Sequence, residues 1–267
     1  MDSVELVGRG LHGGKRCAVR LSRGVGPVRF VDGTRDVMIH QLIPVRLERG
    51  VRVRFEEYEV ELVEHLFAAL AGLQVRQGIV IEVRGGEIPL LDGAAFELAM
   101  AARALEPRPT PPSLWVREHA ELSEGDSSYT FHPGDECRLQ VQVDFQGVGA
   151  QHATFDGSER CFLEQIAPSR TFGFARDAAA LHASGLAKGV DPHTVLVLDD
   201  AGQAIPPSRP ATENELARHK LLDLLGDLYL YGGPPRGAVH AVRPGHKNTH
   251  AVARKALEAG ILSQIPP

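Results

Sequence analysis

The chain has 267 residues, of which 43% are hydrophobic, enough for one large domain or two ordinary ones with a real core. Its net charge of −5 is mild and its 29 lysines and arginines are scattered, which argues against a dedicated nucleic-acid binder. Cys17, Cys137 and Cys161 are odd in number, far apart and without CxxC spacing, which argues against a disulfide framework or a cysteine zinc knuckle.

At the N-terminus, Met1-Asp2-Ser3-Val4-Glu5 has neither a basic n-region nor an apolar h-region, and no run of about 18 apolar residues follows anywhere. No export signal and no transmembrane segment are therefore expected, and a reducing cytoplasmic setting fits the cysteines. Gly8-Arg9-Gly10-Leu11-His12-Gly13 matches the GxGxxG dinucleotide fingerprint, with Asp32 at about the right distance downstream. That fingerprint needs a helix opening at the glycines, whereas Lys15 to Leu21 alternates as a strand, so a pyrophosphate site is not expected here. A P-loop fails because Gly14-Lys15 is followed by Arg16, and GxSxG is absent.

Further along the first half, periodicity predicts strands at 17–21, 28–31, 51–55 and 79–83 and helices at 63–72 and 94–105. Gly85 to Gly93 looks like a tight connection into the second of these helices. Glu106-Pro107-Arg108-Pro109-Thr110-Pro111-Pro112 holds four prolines in seven residues and reads as a stiff linker, so the first domain is expected to end near Leu105. Beyond it, strands are predicted at 114–119, 138–145 and 195–198, and helices at 175–184, 213–231 and 248–259. Regular βαβ alternation is missing, which favours an α+β fold over a doubly wound sheet.

The helix at 213–231 is well punctuated. Thr212 is a plausible N-cap with Glu215 three positions on, and Gly232-Gly233-Pro234-Pro235 stops it. On that helix His219, Lys220, Asp223 and Asp227 share an arc of about 100°, opposite Leu221, Leu222, Leu224, Leu225 and Leu228. His219 and Asp223, four residues apart, aim the same way and supply two of the three protein ligands that a hydrolytic zinc site needs. A surface hydrogen-bonded pair is the ordinary alternative.

The best source of a third ligand is Glu64-His65, two polar residues heading an apolar, alanine-rich helix. On that segment alone, a capping glutamate beside a solvated histidine is the more ordinary reading. Ser169-Arg170-Thr171-Phe172-Gly173-Phe174 reads as a turn lining a pocket. Arg243-Pro244-Gly245-His246-Lys247-Asn248 reads as a loop ahead of a helix, with His246 free to reach a cleft; a pocketless hydrophobic turn and an exposed basic loop are their plainer readings.

Taken in order, these segments resemble a known family, the zinc-dependent UDP-3-O-acyl-N-acetylglucosamine deacetylases of lipid A biosynthesis. The resemblance rests on Gly10-Leu11-His12, Val63-Glu64-His65-Leu66, Glu87-Ile88-Pro89 with Leu91-Asp92-Gly93, and Ser169 to Phe174. It continues through Arg218-His219-Lys220 with Leu222-Asp223, Gly226-Asp227-Leu228-Tyr229 and Gly245-His246. The resemblance implies a two-domain α+β sandwich, each domain a β-sheet with helices packed between the two sheets, divided here as 1–106 and 113–267.

It further implies zinc, or iron(II), on His65, His219 and Asp223, and Glu64 as general base. By the same resemblance, Thr171 and Lys220 contact the carbonyl oxygen, His246 is the general acid and Asp227 orients it, while Phe172 and Arg243 contact substrate. The implied partner is a small acylated nucleotide sugar met by a monomer. Departures from the family pattern are Leu62, where a serine or threonine is usual, the segment Pro206 to Ala211, and Lys188 to His193 within the acyl-chain region. Two alternatives follow from those departures: a diverged zinc amidohydrolase acting on another N-acyl amino sugar or nucleotide sugar, and a silent relative that only binds a sugar nucleotide.

Overall fold

The structure, a computed structural model, describes residues 1–33, 35–46 and 49–264. In chain order its first half contains β1 (Ser3–Arg9), β2 (Arg16–Pro27), β3 (Arg29–Asp32), β4 (Arg35–Met38), β5 (Ile43–Arg46), β6 (Arg52–Phe55) and β7 (Tyr58–Glu61). Then come α1 (Val63–Gly72), β8 (Gln77–Arg84) and α2 (Phe96–Arg103). The second half adds β9 (Leu114–Val116), β10 (Ala120–Glu124), β11 (Ser127–His132), β12 (Cys137–Phe145), β13 (Gly149–Phe155) and the short α3 (Glu159–Cys161). It finishes with β14 (Phe172–Phe174), α4 (Ala178–Ala183), β15 (Leu196–Leu198), α5 (Glu215–Tyr229), β16 (Gly237–Val242), α6 (His246–Glu258) and β17 (Leu262–Gln264).

The fold is α+β. Two five-stranded sheets dominate, one ordered β1-β2-β8-β3-β4 and the other β10-β11-β16-β12-β13, each mostly antiparallel with one parallel pair. Arg-Cys-Ala-Val-Arg-Leu in β2 alternates exposed and buried, as a strand with one solvated face must. In contrast, α1 is buried on every side, and its composition of Leu66, Phe67, Ala68, Ala69, Leu70 and Ala71 leaves no polar face to offer water. It lies against α5, where the Phe67 and Tyr229 rings meet at 5.3 Å and the Tyr229 hydroxyl donates to the Val75 carbonyl at 2.7 Å.

Small residues set how closely these two helices approach. Gly226 of α5 passes so near the start of α1 that a Cβ there would sit 2.1 Å from the Glu64 carbonyl oxygen. This contact joins the two segments on which the candidate ligands lie. One continuous buried cluster, running from Val19 in β2 to Leu262 in β17, includes residues of both halves, so the sheets share a core.

The glycine-rich start serves a different purpose from nucleotide binding. The turn at Gly10 to Gly13 wraps the buried Glu87 carboxylate, which accepts the His12 and Gly13 N–H groups at 2.7 and 3.1 Å. A side chain at Gly10 would overlap that carboxylate, with a Cβ 2.0 Å from its oxygen. As expected from the alternation at 15–21, a strand rather than a helix follows.

Among the described residues ten strands, including β1, β11, β13 and β16, go beyond the sequence expectations. Helix α1 matches its expected bounds, whereas α6 starts at His246 rather than 248, so His246 heads a helix instead of hanging from a loop. Helix α5 begins at Glu215 after Asn214, which takes a left-handed conformation at φ 54°. Thr212 is therefore not the N-cap; its hydroxyl hydrogen-bonds Glu215 Oε2 at 3.1 Å, and the same carboxylate is held by Arg170.

Candidate active site

A cavity of about 630 Å³ opens between the two sheets, and Glu64, His65, Thr171, Phe172, His219, Lys220, Asp223 and His246 all line it. Residues from four distant stretches thus converge. His65 Nε2 lies 4.0 Å and His219 Nε2 3.5 Å from Asp223 Oδ1, and one donor atom from each of the three falls within 4.8 Å of the others. The two imidazoles meet edge to face at 5.2 Å.

The donor chemistry fits a divalent cation. His65 Nδ1 faces the Ala94 carbonyl at 3.1 Å and His219 Nδ1 faces the Ser169 carbonyl at 3.1 Å. A ring nitrogen facing a carbonyl must carry the proton, so each Nε2 presents its lone pair to the shared centre. Burial, then the neighbouring His219, pulls His65 down to about 3, and burial likewise lowers His219, so both rings are neutral ligands. Burial would raise Asp223, but the Lys220 ammonium first and the charged His246 with it outweigh that and hold the carboxyl well below the ordinary carboxylate range. Its Oδ2 accepts from Lys220 Nζ at 2.6 Å, leaving Oδ1 for the imidazoles' side. Two neutral imidazoles and one carboxylate are the donor set of hydrolytic zinc centres.

Beside the ligand group, Glu64 stands at the first turn of α1, 3% exposed. Its Oε2 accepts the Val51 N–H at 2.9 Å. Burial lifts this carboxyl to about 7, with the His246 charge opposing and Asp223 reinforcing the rise. Leu62, which precedes the helix, adopts φ 57° and gives no side-chain cap, so the hydroxyl usual there is replaced by an apolar wall of the cavity.

Across the cavity, His246 Nδ1 donates to Asp227 at 2.9 and 3.1 Å, and its Nε2 points toward the ligand group, 3.8 Å from Asp223 Oδ2. Burial alone would lower this imidazole, but Asp227 and then Asp223 raise it to about 9. Asp227 itself is buried behind His246 and does not reach the cavity surface. Thr171 projects from a segment tied to the first half by its N–H to the Gly93 carbonyl at 2.6 Å. Phe172 packs edge to face on His219 at 5.8 Å.

Arg243 stands apart from this group. It is exposed, lies outside the cavity lining and borders a shallower pocket of about 180 Å³ with Asp126 and Asp144. Cations that line the cavity away from the ligand group are Arg49, which pairs with Asp177 at 3.5 Å, Lys188 and Lys247, none of which the sequence alone singled out as ligand-binding. The segment 185–195 forms one wall through Ala187, Lys188, Val190 and Val195, pinned to the glycine-rich turn by the Lys188 and Gly189 N–H groups.

One further pair escaped sequence reasoning. Arg170 and Glu215 form a buried bidentate ion pair, Nε to Oε1 at 2.8 Å and Nη2 to Oε2 at 3.0 Å. It clamps the segment carrying Ser169 and Thr171 to the start of α5. Capping-box spacing had accounted for Glu215 locally, so nothing in the sequence pointed to a partner 45 residues away.

Residues 1–258 match the family model described as UDP-3-O-acyl N-acetylglycosamine deacetylase. A UDP-3-O-acyl-N-acetylglucosamine deacetylase of Myxococcus xanthus is 31% identical, over 99% of this chain and 87% of the relative. Its counterpart in Histophilus somni is 33% identical over 96% and 88%. Another, from Nitratiruptor, is 30% identical over 96% and 88%.

Proposed function

Because the chain belongs to the UDP-3-O-acyl N-acetylglycosamine deacetylase family and hydrolyses the N-acetyl amide of a UDP-3-O-acyl-N-acetylglucosamine in lipid A biosynthesis, we propose residue roles for that reaction. His65, His219 and Asp223 hold zinc, and Glu64, Thr171, Lys220 and His246 act on the amide. The single observation that carries this reading is the convergence of two proton-fixed imidazoles and one carboxylate at one end of a 630 Å³ cavity.

When bound, the ion supplies Lewis acidity, polarising a carbonyl and making water easier to deprotonate. Glu64, the carboxylate beside the ligands, accepts the proton of the attacking water. Its raised pKa suits a base working near neutral pH. Lys220 and the Thr171 hydroxyl donate toward the oxygen on which negative charge develops, a contribution of about 2.7 to 4 kcal/mol for each well-placed donor. His246, kept cationic by Asp227, gives its proton to the departing amine, so acetate and a free amino sugar are released. Phe172 covers His219 and presents an apolar face to the substrate. Arg243 would reach substrate only from outside the cavity, so the phosphates are better matched by the cations that line it away from the ligand group.

The substrate is a small acylated nucleotide sugar, and no helix among the described residues is long and apolar enough to cross a membrane. A cytoplasmic monomer agrees with three unpaired thiols and a soluble activated sugar. The division into domains 1–106 and 113–267 is supported by the proline-rich stretch between the two sheets. A silent relative is not favoured, since candidate ligands and a candidate base converge on one cavity, and an amidohydrolase for another sugar is not favoured, since the family match runs over residues 1–258.

The test is acetate release from a panel of N-acetylated UDP-sugars, with and without a 3-O-acyl chain, using protein of measured metal content. Turnover is expected on the acylated substrate. Activity confined to a non-acylated sugar would replace this reading.

A further inference from the structure

We infer that His250 and Tyr231 extend the His246–Asp227 pair into a four-membered hydrogen-bonded relay, in which both act as positioning residues for proton donation. The inference rests on the role proposed above for His246.

The relay follows from two helices that meet with matched spacing. Asp227 and Tyr231 lie four residues apart along and just past α5, and His246 and His250 lie four apart on the first turns of α6. Each pair therefore points one way from its own helix, and the pairs face each other. The Tyr231 hydroxyl is 2.8 Å from His250 Nδ1, and His250 Nε2 is 3.4 Å from Asp227 Oδ1, the oxygen that also lies 2.9 Å from His246 Nδ1. His250 is 0% exposed, and its Nε2 closes no hydrogen bond of good geometry among the described residues.

That burial fixes the tautomer. Were Nε2 unprotonated, its lone pair would face a buried carboxylate with no water to intervene, an arrangement that costs free energy on both sides. With the proton on Nε2 it points at Asp227 Oδ1, and Nδ1 is left to accept the Tyr231 O–H. Asp227 then receives protons from two directions, His246 in front and His250 behind. Held at both sides, the carboxylate keeps its plane, and His246 keeps Nε2 aimed at the reacting amide. The 3.4 Å gap is of the kind that closes when the site is loaded.

His250 touches neither substrate nor the ligand group, so its loss acts on turnover and leaves substrate binding alone. His250→Ala is expected to lower kcat by about 10- to 100-fold with KM within twofold, by analogy with the loss of a hydrogen-bond partner behind a metal-bound imidazole. His250→Gln, which can place an amide N–H where Nε2 stands, recovers most of that loss. Tyr231→Phe, a milder change at a half-buried hydroxyl, lowers kcat to between wild type and His250→Ala. Nitrogen-15 spectra of ring-labelled protein supply a readout independent of turnover, with His250 protonated at Nε2 and bare at Nδ1.

The inference is overturned if Tyr231→Phe and His250→Ala both match wild type in kcat, if KM rises in step with the fall in kcat, or if the spectra show Nδ1 protonated and Nε2 bare. His246→Gln separates this from the parent reading. An active His246→Gln protein removes the proton-donor role itself, whereas an inactive one beside silent variants at 231 and 250 removes only the relay.

Discussion

Glu215 and Arg170 show how residues outside the cavity hold the segments that build it. Burial would raise the Glu215 carboxyl, but the Arg170 guanidinium and the Thr212 and Arg170 N–H groups bring it down to about 2. A folded-state pKa below the ordinary value of 4.5 means stability that is complete above that value and disappears as pH falls toward 2. A difference of that size corresponds to roughly 3 kcal/mol. Urea midpoints of wild type and Glu215→Gln should therefore differ by a constant amount between pH 7 and 5 and converge below about 4.5. A gap that stays constant to pH 3 would show that the ion pair does not set the stability of this corner. The convergence of His65, His219 and Asp223 was legible in part, because His219 and Asp223 stand four apart on one helix face and His65 heads an otherwise apolar helix. Arg170–Glu215 and His250 were not, since each needs a partner that only the fold brings near.

Helices α1 and α5 carry the residues proposed to hold the metal, and their separation is set by Gly226. A methyl at that position would meet the Glu64 carbonyl at 2.1 Å, backbone against helix, so neither side can yield without moving. Gly226→Ala should cost about 1 to 3 kcal/mol of stability through overpacking. It should also weaken metal retention, because it pushes the helix bearing His65 from the one bearing His219. Dialysis against a chelator followed by metal counting checks this, and unchanged retention in a folded variant would contradict it. Periodicity located α1 to the residue because its apolar run is unbroken, and found α5 through its leucine face. It missed strands such as β1 and β16, where Ser3-Val4-Glu5-Leu6-Val7 and Gly237-Ala238-Val239-His240 lack the β-branched density that marks a strand. It also left His246 in a loop, because Gly245 looks like a turn residue and serves instead as the residue before α6.

At the scale of the molecule, the proline-rich stretch suggests two domains while the buried core runs through both. Shared burial makes the halves depend on each other, so unfolding should be a single transition. Trp115, the one tryptophan, sits in the second half between Arg117 and Arg236 and reports that half by fluorescence. Its urea transition should coincide with that of far-ultraviolet circular dichroism, and two separated transitions would mean independent domains. The α+β class and the order of the site segments were readable from the chain, but the sharing of one core was not, because it depends on which sheet faces meet.

The account depends most on separating the group that holds the ion from the group that takes the proton. Metal content and acetate release measured together on Glu64→Ala and His219→Ala make that separation directly. Glu64→Ala should keep one ion per chain and lose about 10²- to 10⁴-fold in kcat, the usual worth of a general base, while His219→Ala should lose the ion itself. A Glu64→Ala protein without metal, or a His219→Ala protein that retains it, would contradict the assignment.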